Sequence, residues 1–371
     1  MLPAMHPLLL TAALLFGAPA GRVGPFEQES VAPALAEEAA PDGEAADDDE
    51  GDAAEAESES AAAGATGPGI HYTADLSDEA LQRLWQADLE SLGSISVGFA
   101  DQGRMINAVH MAQDPAWICE RPELAWGAKE TVDALELAFR AVRQKFPESA
   151  PARLSHIGAR EGGYLKPHRS HQSGRDADIG FFYKTDVVPR RGVRRDKTMD
   201  PARNWALLRA LITQTDVQVI LVDRSIQKVL REYALAAGED REWVAGLFSG
   251  TRKAMVQHAR RHKDHFHVRF FAPRSQELGR RIQPLLAQRP EQNLAIHKVR
   301  QGQTLGHIAL IYGSTVKAIQ KANHMRGTML HLSQRLLVPL RKPCTHCPLP
   351  PPVVVPPRRL PSAELASSAA N

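Results

Sequence analysis

The chain has 371 residues and a formal net charge of +2, a length that allows one sizeable domain and a smaller one. Three cysteines exclude a disulfide-based scaffold for a chain of this length. Residues 23–70 contain fourteen Asp and Glu and no Lys or Arg, whereas residues 71–371 carry a formal charge of +15. The basic part favours an anionic partner or matrix, although a solvated basic surface would have the same composition.

The N-terminal residues have the pattern of an export signal. An apolar run over residues 8–16 precedes Ala-Pro-Ala at 18–20, which is typical of a processing site, and the run is too short to span a bilayer. We therefore expect residues 1–20 to be a signal peptide and the mature protein to be periplasmic, without a membrane anchor. Residues 21–70 contain very few large apolar side chains, so they are predicted to be a disordered acidic linker.

From residue 71 the pattern becomes that of a folded domain, which we place at residues 71–290. Apolar residues at helical spacing predict amphipathic helices over residues 76–89 and 132–146. Further helices are predicted at 205–213 and 226–236, and strands at 153–157, 179–183, 217–222 and 267–271. Short strands mixed with helices predict an α+β fold with a small mixed or antiparallel sheet.

A second, smaller module is predicted at residues 295–341. Within it, Thr304 is placed as the N-cap of a helix that begins at Leu305. The proline-rich residues 342–371 are predicted to be a disordered, extended tail. Within that tail, Cys344 and Cys347 have the spacing of either a small disulfide or half of a metal site, and the sequence leaves both open.

Two short segments concentrate side chains that bind metals. They are HRSHQSGRDADI at 168–179 and HKDHFHVRF at 262–270. The first contains His171 and Asp178, and the second contains His265 and His267, which face the same side if this segment is a strand. A catalytic zinc needs three protein ligands and an open position for water. The two segments together predict a metal site, with solvated or structural histidines as the alternative.

These segments resemble the H-x-x-H-Q-x-G-x-D-x-D-I and H-x-x-H-x-H-V-R motifs of the penicillin-insensitive murein endopeptidases. The resemblance extends thinly over residues 72–275 and implies the α+β zinc core of the D-alanyl-D-alanine metallopeptidases and lysostaphin-type peptidases. It implies zinc as cofactor, with His171, Asp178 and His267 as its ligands. By the same resemblance His265 and His262 are the candidate catalytic residues, with His168 and Asp176 as supporting or substrate-binding residues.

Two features depart from the family pattern. Arg175 occupies a position where an apolar residue is expected, and residues 188–200 form a basic insertion. The bases of this insertion either line the cleft and meet substrate carboxylates or belong to a solvated loop.

The C-terminal module resembles the lysin motif (LysM), which binds glycans that contain N-acetylglucosamine. The resemblance rests on the sequence VRQGQTLGHIALIYGSTVKAIQKANHMRG and on the closing strand at 334–339. A small βααβ fold without glycan affinity is the alternative.

Together, the two resemblances imply an exported, penicillin-insensitive zinc metalloendopeptidase that is held on peptidoglycan by its LysM module. The implied reaction is hydrolysis of the D-alanyl–meso-diaminopimelate cross-link, and no nucleic-acid partner is expected. Two alternatives remain at this point: a D,D-carboxypeptidase or dipeptidase with the same ligands, and a non-catalytic peptidoglycan-binding protein with a structural metal site.

Overall fold

The computed structural model of the protein describes residues 71–344 and 347–364. The predicted signal peptide at 1–20 and the predicted acidic linker at 21–70 lie outside the described residues. Among the helices that are described, none has the length and apolar character needed to cross a bilayer.

The described residues form short strands and helices in alternation. The strands are β1 (Ile95–Gly98), β2 (Gly103–Ile106), β3 (Val109–His110), β4 (Trp117–Cys119), β5 (Trp126–Gly127), β6 (Ala152–His156), β7 (Asp176–Gly180), β8 (Val217–Val222), β9 (Val256–His258), β10 (His265–Phe270), β11 (Leu294–Lys298) and β12 (Arg335–Pro339). The helices are α1 (Asp78–Ala87), α2 (Lys129–Lys145), α3 (Arg195–Thr198), α4 (Pro201–Gln214), α5 (Arg224–Ala236), α6 (Arg241–Leu247), α7 (Pro273–Arg281), α8 (Leu305–Ile311) and α9 (Val316–Ala322).

A six-stranded mixed sheet forms the centre of the larger domain, with the strand order β4-β6-β7-β10-β8-β9. The four inner strands pair antiparallel, and the edge strands β4 and β9 pair parallel with their neighbours. Apolar side chains of α2, α4 and α5 share one hydrophobic core with this sheet. The predicted α+β fold class is therefore confirmed.

The two faces of the sheet have opposite chemistry. Ile179 of β7 and Phe266 and Val268 of β10 are fully buried in the hydrophobic core. Because successive side chains of a strand point to opposite faces, the polar residues between them lie on the other face. Antiparallel register places His267 opposite Asp178 and Arg269 opposite Asp176. The two polar segments of the sequence thus meet on one face of the sheet.

Strand β7 begins three residues earlier than the sequence predicts. Acidic residues are depleted in strands, which favoured a start at residue 179. In the structure the strand spans Asp176–Gly180, because Asp176 and Asp178 have cationic or imidazole partners directly opposite on β10. Both carboxylates therefore lie on the same, polar face of the sheet.

A β-bulge in β6 redirects a histidine. Leu154 pairs with Ile179 but His156 pairs with Asp178, so β6 contains one extra residue, Ser155, at this point. Without the bulge, His156 would share the core-facing side of Leu154. The extra residue instead places His156 on the polar face, opposite Asp178.

A second hydrophobic cluster attaches the N-terminal helix to the domain. Trp85 of α1 is fully buried among apolar side chains of the β1–β2 hairpin and α7. Its indole nitrogen donates a hydrogen bond of 2.9 Å to the carbonyl oxygen of Leu285. This contact joins chain segments that are 200 residues apart.

The C-terminal module has the predicted βααβ order, with β11 and β12 paired antiparallel around α8 and α9. Thr304 caps α8 as predicted, since its hydroxyl accepts a hydrogen bond of 3.2 Å from the His307 N–H. The opening strand of the module, β11, ends at Lys298. Cys344 and Cys347 form a disulfide, which is one of the two roles that their spacing allows.

The proline-rich tail differs from the expectation of disorder over residues 347–364, which lie against the larger domain. Trp243 donates a hydrogen bond of 2.8 Å to the Arg359 carbonyl oxygen, and Arg358 pairs with Asp216 at 2.9 Å. Extended proline-rich chains leave their carbonyl groups free to accept hydrogen bonds. Such a segment can therefore dock on a folded surface without having a core of its own.

Substitution of Trp85 by alanine should lower the free energy of unfolding by about 3–5 kcal/mol, because it removes a fully buried aromatic side chain. Leu137→Ala on α2 is the matched control: its side chain is 43% exposed, so a change within about 0.5 kcal/mol is expected. Chemical denaturation of the two variants measures both values. Equal effects of the two substitutions would contradict this account of the second cluster.

Candidate metal centre

His171 lies in the loop before β7 and is fully buried. Its φ of 66° is in the left-handed region, and its backbone N–H donates a hydrogen bond of 3.1 Å to Oδ2 of Asp176. The ring nitrogen Nδ1 lies 2.8 Å from the carbonyl oxygen of Ile157. A carbonyl can only accept, so Nδ1 carries the hydrogen and the lone pair of Nε2 points away from Ile157.

Gly174 allows this loop to pack tightly between His171 and β7. Its φ is 69°, and a Cβ atom at this position would lie only 2.8 Å from the Ala128 nitrogen and 2.6 Å from the Met105 sulfur. Only glycine tolerates both the backbone conformation and the close approach. The glycine of the first motif is thus explained by the geometry of the loop.

His267 is oriented by a carboxylate behind it. Its Nε2 lies 3.3 Å from Oδ1 of Asp176, and the same oxygen accepts a hydrogen bond of 2.6 Å from Nε of Arg269. The other ring nitrogen, Nδ1, lies 3.0 Å from Oδ1 of Asp178. A carboxylate on the far nitrogen of a ligating histidine is the usual arrangement around protein-bound metals.

Three potential ligand atoms form a nearly equilateral triangle. Nε2 of His171 lies 3.2 Å from Nδ1 of His267 and 3.2 Å from Oδ1 of Asp178, and the third side measures 3.0 Å. Tetrahedral zinc with bonds of about 2.0–2.1 Å separates its ligand atoms by about 3.3–3.4 Å. The triangle therefore has the dimensions of one face of a zinc tetrahedron.

The charge distribution around Asp178 also fits a metal. Its carboxylate is buried, and among the described residues its partners within 4 Å are imidazoles, without a Lys or Arg. These partners are His156, His168, His171, His265 and His267. Burial opposes ionisation of Asp178, but His171 and His265 outweigh it and hold its pKa well below the usual range. A buried anion without a permanent cation beside it is stabilised by a bound cation.

An overlapping group of side chains offers a second ligand set. His156, His168, His171 and Asp178 bring one potential ligand atom each within 4.8 Å of one another. This set shares His171 and Asp178 with the triangle and contains two further histidines in place of His267. The protonation of His156 distinguishes the two sets.

His156 has its lone pair turned away from the centre. Its Nδ1 lies 2.8 Å from a terminal guanidinium nitrogen of Arg121, and a guanidinium can only donate. Burial, together with the neighbouring His171, lowers the pKa of His156 to about 2, so the ring is neutral and its hydrogen is on Nε2. That atom faces Oδ2 of Asp178 at 3.3 Å. We therefore favour the triangle as the ligand set and assign His156 to positioning of Asp178.

His265 lies at the open side of the centre, and its side chain is 23% exposed. Its Nδ1 lies 2.7 Å from Oδ1 of Asp264, and its Nε2 lies 3.7 Å from Oδ2 of Asp178. Burial opposes the imidazolium form, but Asp178 and Asp264 outweigh it and raise the pKa of His265. The hydrogen bond from His265 in turn lowers the pKa of Asp264. The pair has the geometry of a carboxylate-oriented general base.

The two remaining predicted histidines flank this arrangement. His168, with a quarter of its side chain exposed, lies 3.8 Å from Oδ2 of Asp178. The ring of His262 lies 4.9 Å from that of His265, and its Nδ1 lies 2.8 Å from the Arg260 carbonyl oxygen. Nδ1 of His262 therefore carries a hydrogen, and its Nε2 is the acceptor.

The structure brings all seven predicted site residues together, although the role of each stays a prediction. They are His168, His171, Asp176, Asp178, His262, His265 and His267. Sequence reasoning missed four partners: His156, Arg121, Asp264 and Arg269. Asp264 and Arg269 lie within the second motif, and their proximity to its histidines in the sequence could have indicated them. No feature of the sequence indicates His156 or Arg121. The bulge in β6 brings His156 to the site, and the parallel pairing of β4 with β6 brings Arg121 beside it.

The basic insertion is mostly exposed. Arg194 pairs with Asp196 at 2.7 Å, and the guanidinium of Arg195 lies 5.7 Å from the ring centre of Tyr183. Arg195 also contributes to the lowered pKa of Asp264. The charge of Arg195 therefore acts on Asp264, which contacts His265 at the centre. The unexpected Arg175 is buried, and its Nε donates to the Ser173 hydroxyl at 3.3 Å.

Comparisons with known proteins agree with this geometry. A family model described as penicillin-insensitive murein endopeptidase matches residues 96–292, which is more than half of the chain, and a LysM domain model matches residues 297–339. A search of curated proteins finds no significant match. The first model includes every residue of the triangle and both residues of the His265–Asp264 pair. The chain therefore belongs to the penicillin-insensitive murein endopeptidase family and carries a C-terminal LysM domain.

Proposed function

We propose that the protein is an exported, periplasmic zinc metallopeptidase that hydrolyses the D-alanyl–meso-diaminopimelate cross-links of peptidoglycan. The observation that carries the proposal is the triangle of His171, Asp178 and His267 ligand atoms beside the His265–Asp264 pair. Family membership supports the substrate class, and the LysM domain supports attachment to the same material.

Each residue around the centre has a different role in peptide hydrolysis. His171, Asp178 and His267 would hold the zinc ion, which would supply a Lewis acid to activate water and polarise the scissile carbonyl. His265 accepts the proton of the attacking water on Nε2 and returns it to the leaving amine. Asp264 holds Nδ1 of this ring and stabilises the imidazolium that forms. Asp176 and the Ile157 carbonyl keep the ligand histidines in the required tautomers.

The LysM domain raises the local concentration of substrate at the peptidase domain. Binding of a glycan by one domain makes the encounter of the other with a nearby cross-link effectively intramolecular. Such attachment suits an insoluble substrate, whose cleavable bonds cannot diffuse to the enzyme.

The full chain incubated with purified cross-linked muropeptide dimers should convert them to monomers, as followed by mass spectrometry. The wild type should contain about one zinc per chain, and His171→Ala should lose both the zinc and the activity. His307→Ala, at an exposed position on α8, is the matched control and should keep both. Unchanged dimers in the presence of bound zinc would overturn the proposal, and release of terminal D-alanine alone would instead indicate a D,D-carboxypeptidase.

Replacement of His265 by alanine should lower kcat by about 10²–10⁴-fold without loss of zinc, because it removes a proton-transfer group and leaves the triangle intact. Asp264→Asn should lower kcat as well, since the amide cannot stabilise the imidazolium. Zinc analysis and steady-state kinetics on the soluble dimer measure these effects. Loss of zinc in His265→Ala would show that His265 is a ligand, contrary to the role proposed for it.

Replacement of Asp176 by asparagine should weaken zinc binding by about 10–100-fold, because Asp176 contacts both ligand histidines and is not a ligand itself. Competition with a chromogenic chelator gives the affinity, and activity should return when zinc is supplied in excess. Wild-type zinc affinity in this variant would remove Asp176 from the positioning role.

A further inference from the structure

A cleft of about 1020 Å³ lies between the LysM domain and the peptidase domain. One wall consists of β2 and the loop over residues 159–172, and the other consists of β11, β12 and the loop over residues 331–334. The metal centre and the cleft share the first wall, because Pro167 and Gln172 line the cleft while their chain neighbours His168 and His171 belong to the centre.

Polar contacts hold the two domains together along this cleft. Gln102 donates a hydrogen bond of 2.8 Å to the Ile296 carbonyl oxygen, and Arg335 pairs with Asp101 at 2.8 Å. Within the peptidase match, Arg104 donates to the side chain and to the carbonyl oxygen of Gln292, just before the LysM domain begins, at 2.7 and 2.5 Å. The LysM domain is therefore docked on the peptidase domain in a defined orientation.

The cleft contains buried polar atoms that the protein leaves without partners. They are Nε of Arg104, Nε of Arg335 and Oε1 of Gln172, and each of these side chains is less than a tenth exposed. Unpaired buried polar atoms are costly and rare in folded proteins. Three of them along one cleft indicate a site that a ligand completes.

The charge of the cleft defines the ligand as an anion. Four Lys or Arg side chains line it against two Glu side chains. Arg104 is central to the site, because it is buried and its hydrogen bonds go to the neutral groups of Gln292. Among the described residues, no carboxylate lies at ion-pair distance from its guanidinium. Burial alone lowers the pKa of Arg104 to about 10. A carboxylate in the cleft supplies the counter-charge that Arg104 lacks.

An exposed aromatic side chain lies on the same wall. Tyr164 lines the cleft and remains 42% exposed, so its ring face is available to pack on a pyranose. Lys166, two residues later, is also exposed and lines the cleft. The cleft thus combines an aromatic face with a cationic interior.

We propose that this cleft binds a muropeptide, an acetylated disaccharide whose stem peptide bears free carboxylates, with Arg104 facing a stem-peptide carboxylate and Tyr164 facing the sugar. This inference rests on the proposed function for the nature of the substrate. It differs from simple attachment by the LysM domain, because residues of both domains form the site. The shared wall then sets the position of a bound strand relative to the metal centre.

Calorimetric titration of the full chain with two probes tests this site. The probes are an uncross-linked disaccharide-tetrapeptide and chitotetraose, which has the acetylated sugars but no carboxylate. The wild type should bind the muropeptide more tightly than chitotetraose. Arg104→Met should raise the Kd of the muropeptide about tenfold or more, with little change for chitotetraose. Arg231→Gln, on the exposed side of α5, removes a positive charge elsewhere and should change neither value.

Tyr164→Ala distinguishes loss of the ligand site from loss of domain docking. Tyr164 takes no part in the two contacts that join the domains, Gln102–Ile296 and Arg335–Asp101, or in the Arg104–Gln292 contact. It should also raise the Kd of the muropeptide. An unchanged Kd in either variant, or equal wild-type affinity for both probes, would overturn the cleft site.

Hydrolysis of the soluble dimer, measured on the same preparations, keeps the two proposals distinct. Active wild type without Arg104-dependent binding refutes only the cleft, whereas Arg104-dependent binding without hydrolysis refutes only the endopeptidase activity.

Discussion

The register between β7 and β10 is the constraint on which the rest of the site depends. It places His267 opposite Asp178 and Arg269 opposite Asp176 on the polar face of the sheet. A slip of one residue would turn these side chains toward the hydrophobic core, where their charges would have no partners. The apolar residues Ile179, Phe266 and Val268 prevent that slip, because they are fully buried on the opposite face. The core thereby fixes the geometry of the centre.

Asp176 and Asp178 have similar burial and opposite tasks. Arg269 neutralises the charge of Asp176, and the other contacts of this carboxylate are with His171 and His267. Asp178 has imidazoles around it and no arginine or lysine within 4 Å among the described residues, so its charge is left for a cation. We propose that this difference, a permanent internal cation beside Asp176 and none beside Asp178, makes Asp176 an orienting residue and Asp178 a metal ligand. Both side chains come from a single strand, two residues apart.

Much of the site could be predicted from sequence, since the proposed ligand residues lie in two compact motifs, and two of them, Asp178 and His267, alternate with apolar residues in strands. The position of β7 was predicted only in part, because acidic residues are read as turn formers unless their partners on β10 are known. His156 could not be predicted, because its orientation depends on one extra residue in β6 and its tautomer depends on Arg121, which follows the neighbouring strand β4. The docking of the proline-rich tail was missed for a related reason. Its contacts include a hydrogen bond to the backbone carbonyl oxygen of Arg359, which composition does not reveal.

The most direct test of the central claim is the position of the metal in a crystal of the zinc-bound protein, measured by anomalous scattering at the zinc edge. The account predicts one strong peak at about 2.0–2.2 Å from Nε2 of His171, Nδ1 of His267 and Oδ1 of Asp178. In that map Nε2 of His156 should remain outside bonding distance, directed at Asp178. A peak bonded to His156 and His168, with His267 left free, would contradict the ligand assignment and the role given to the register of β7 and β10.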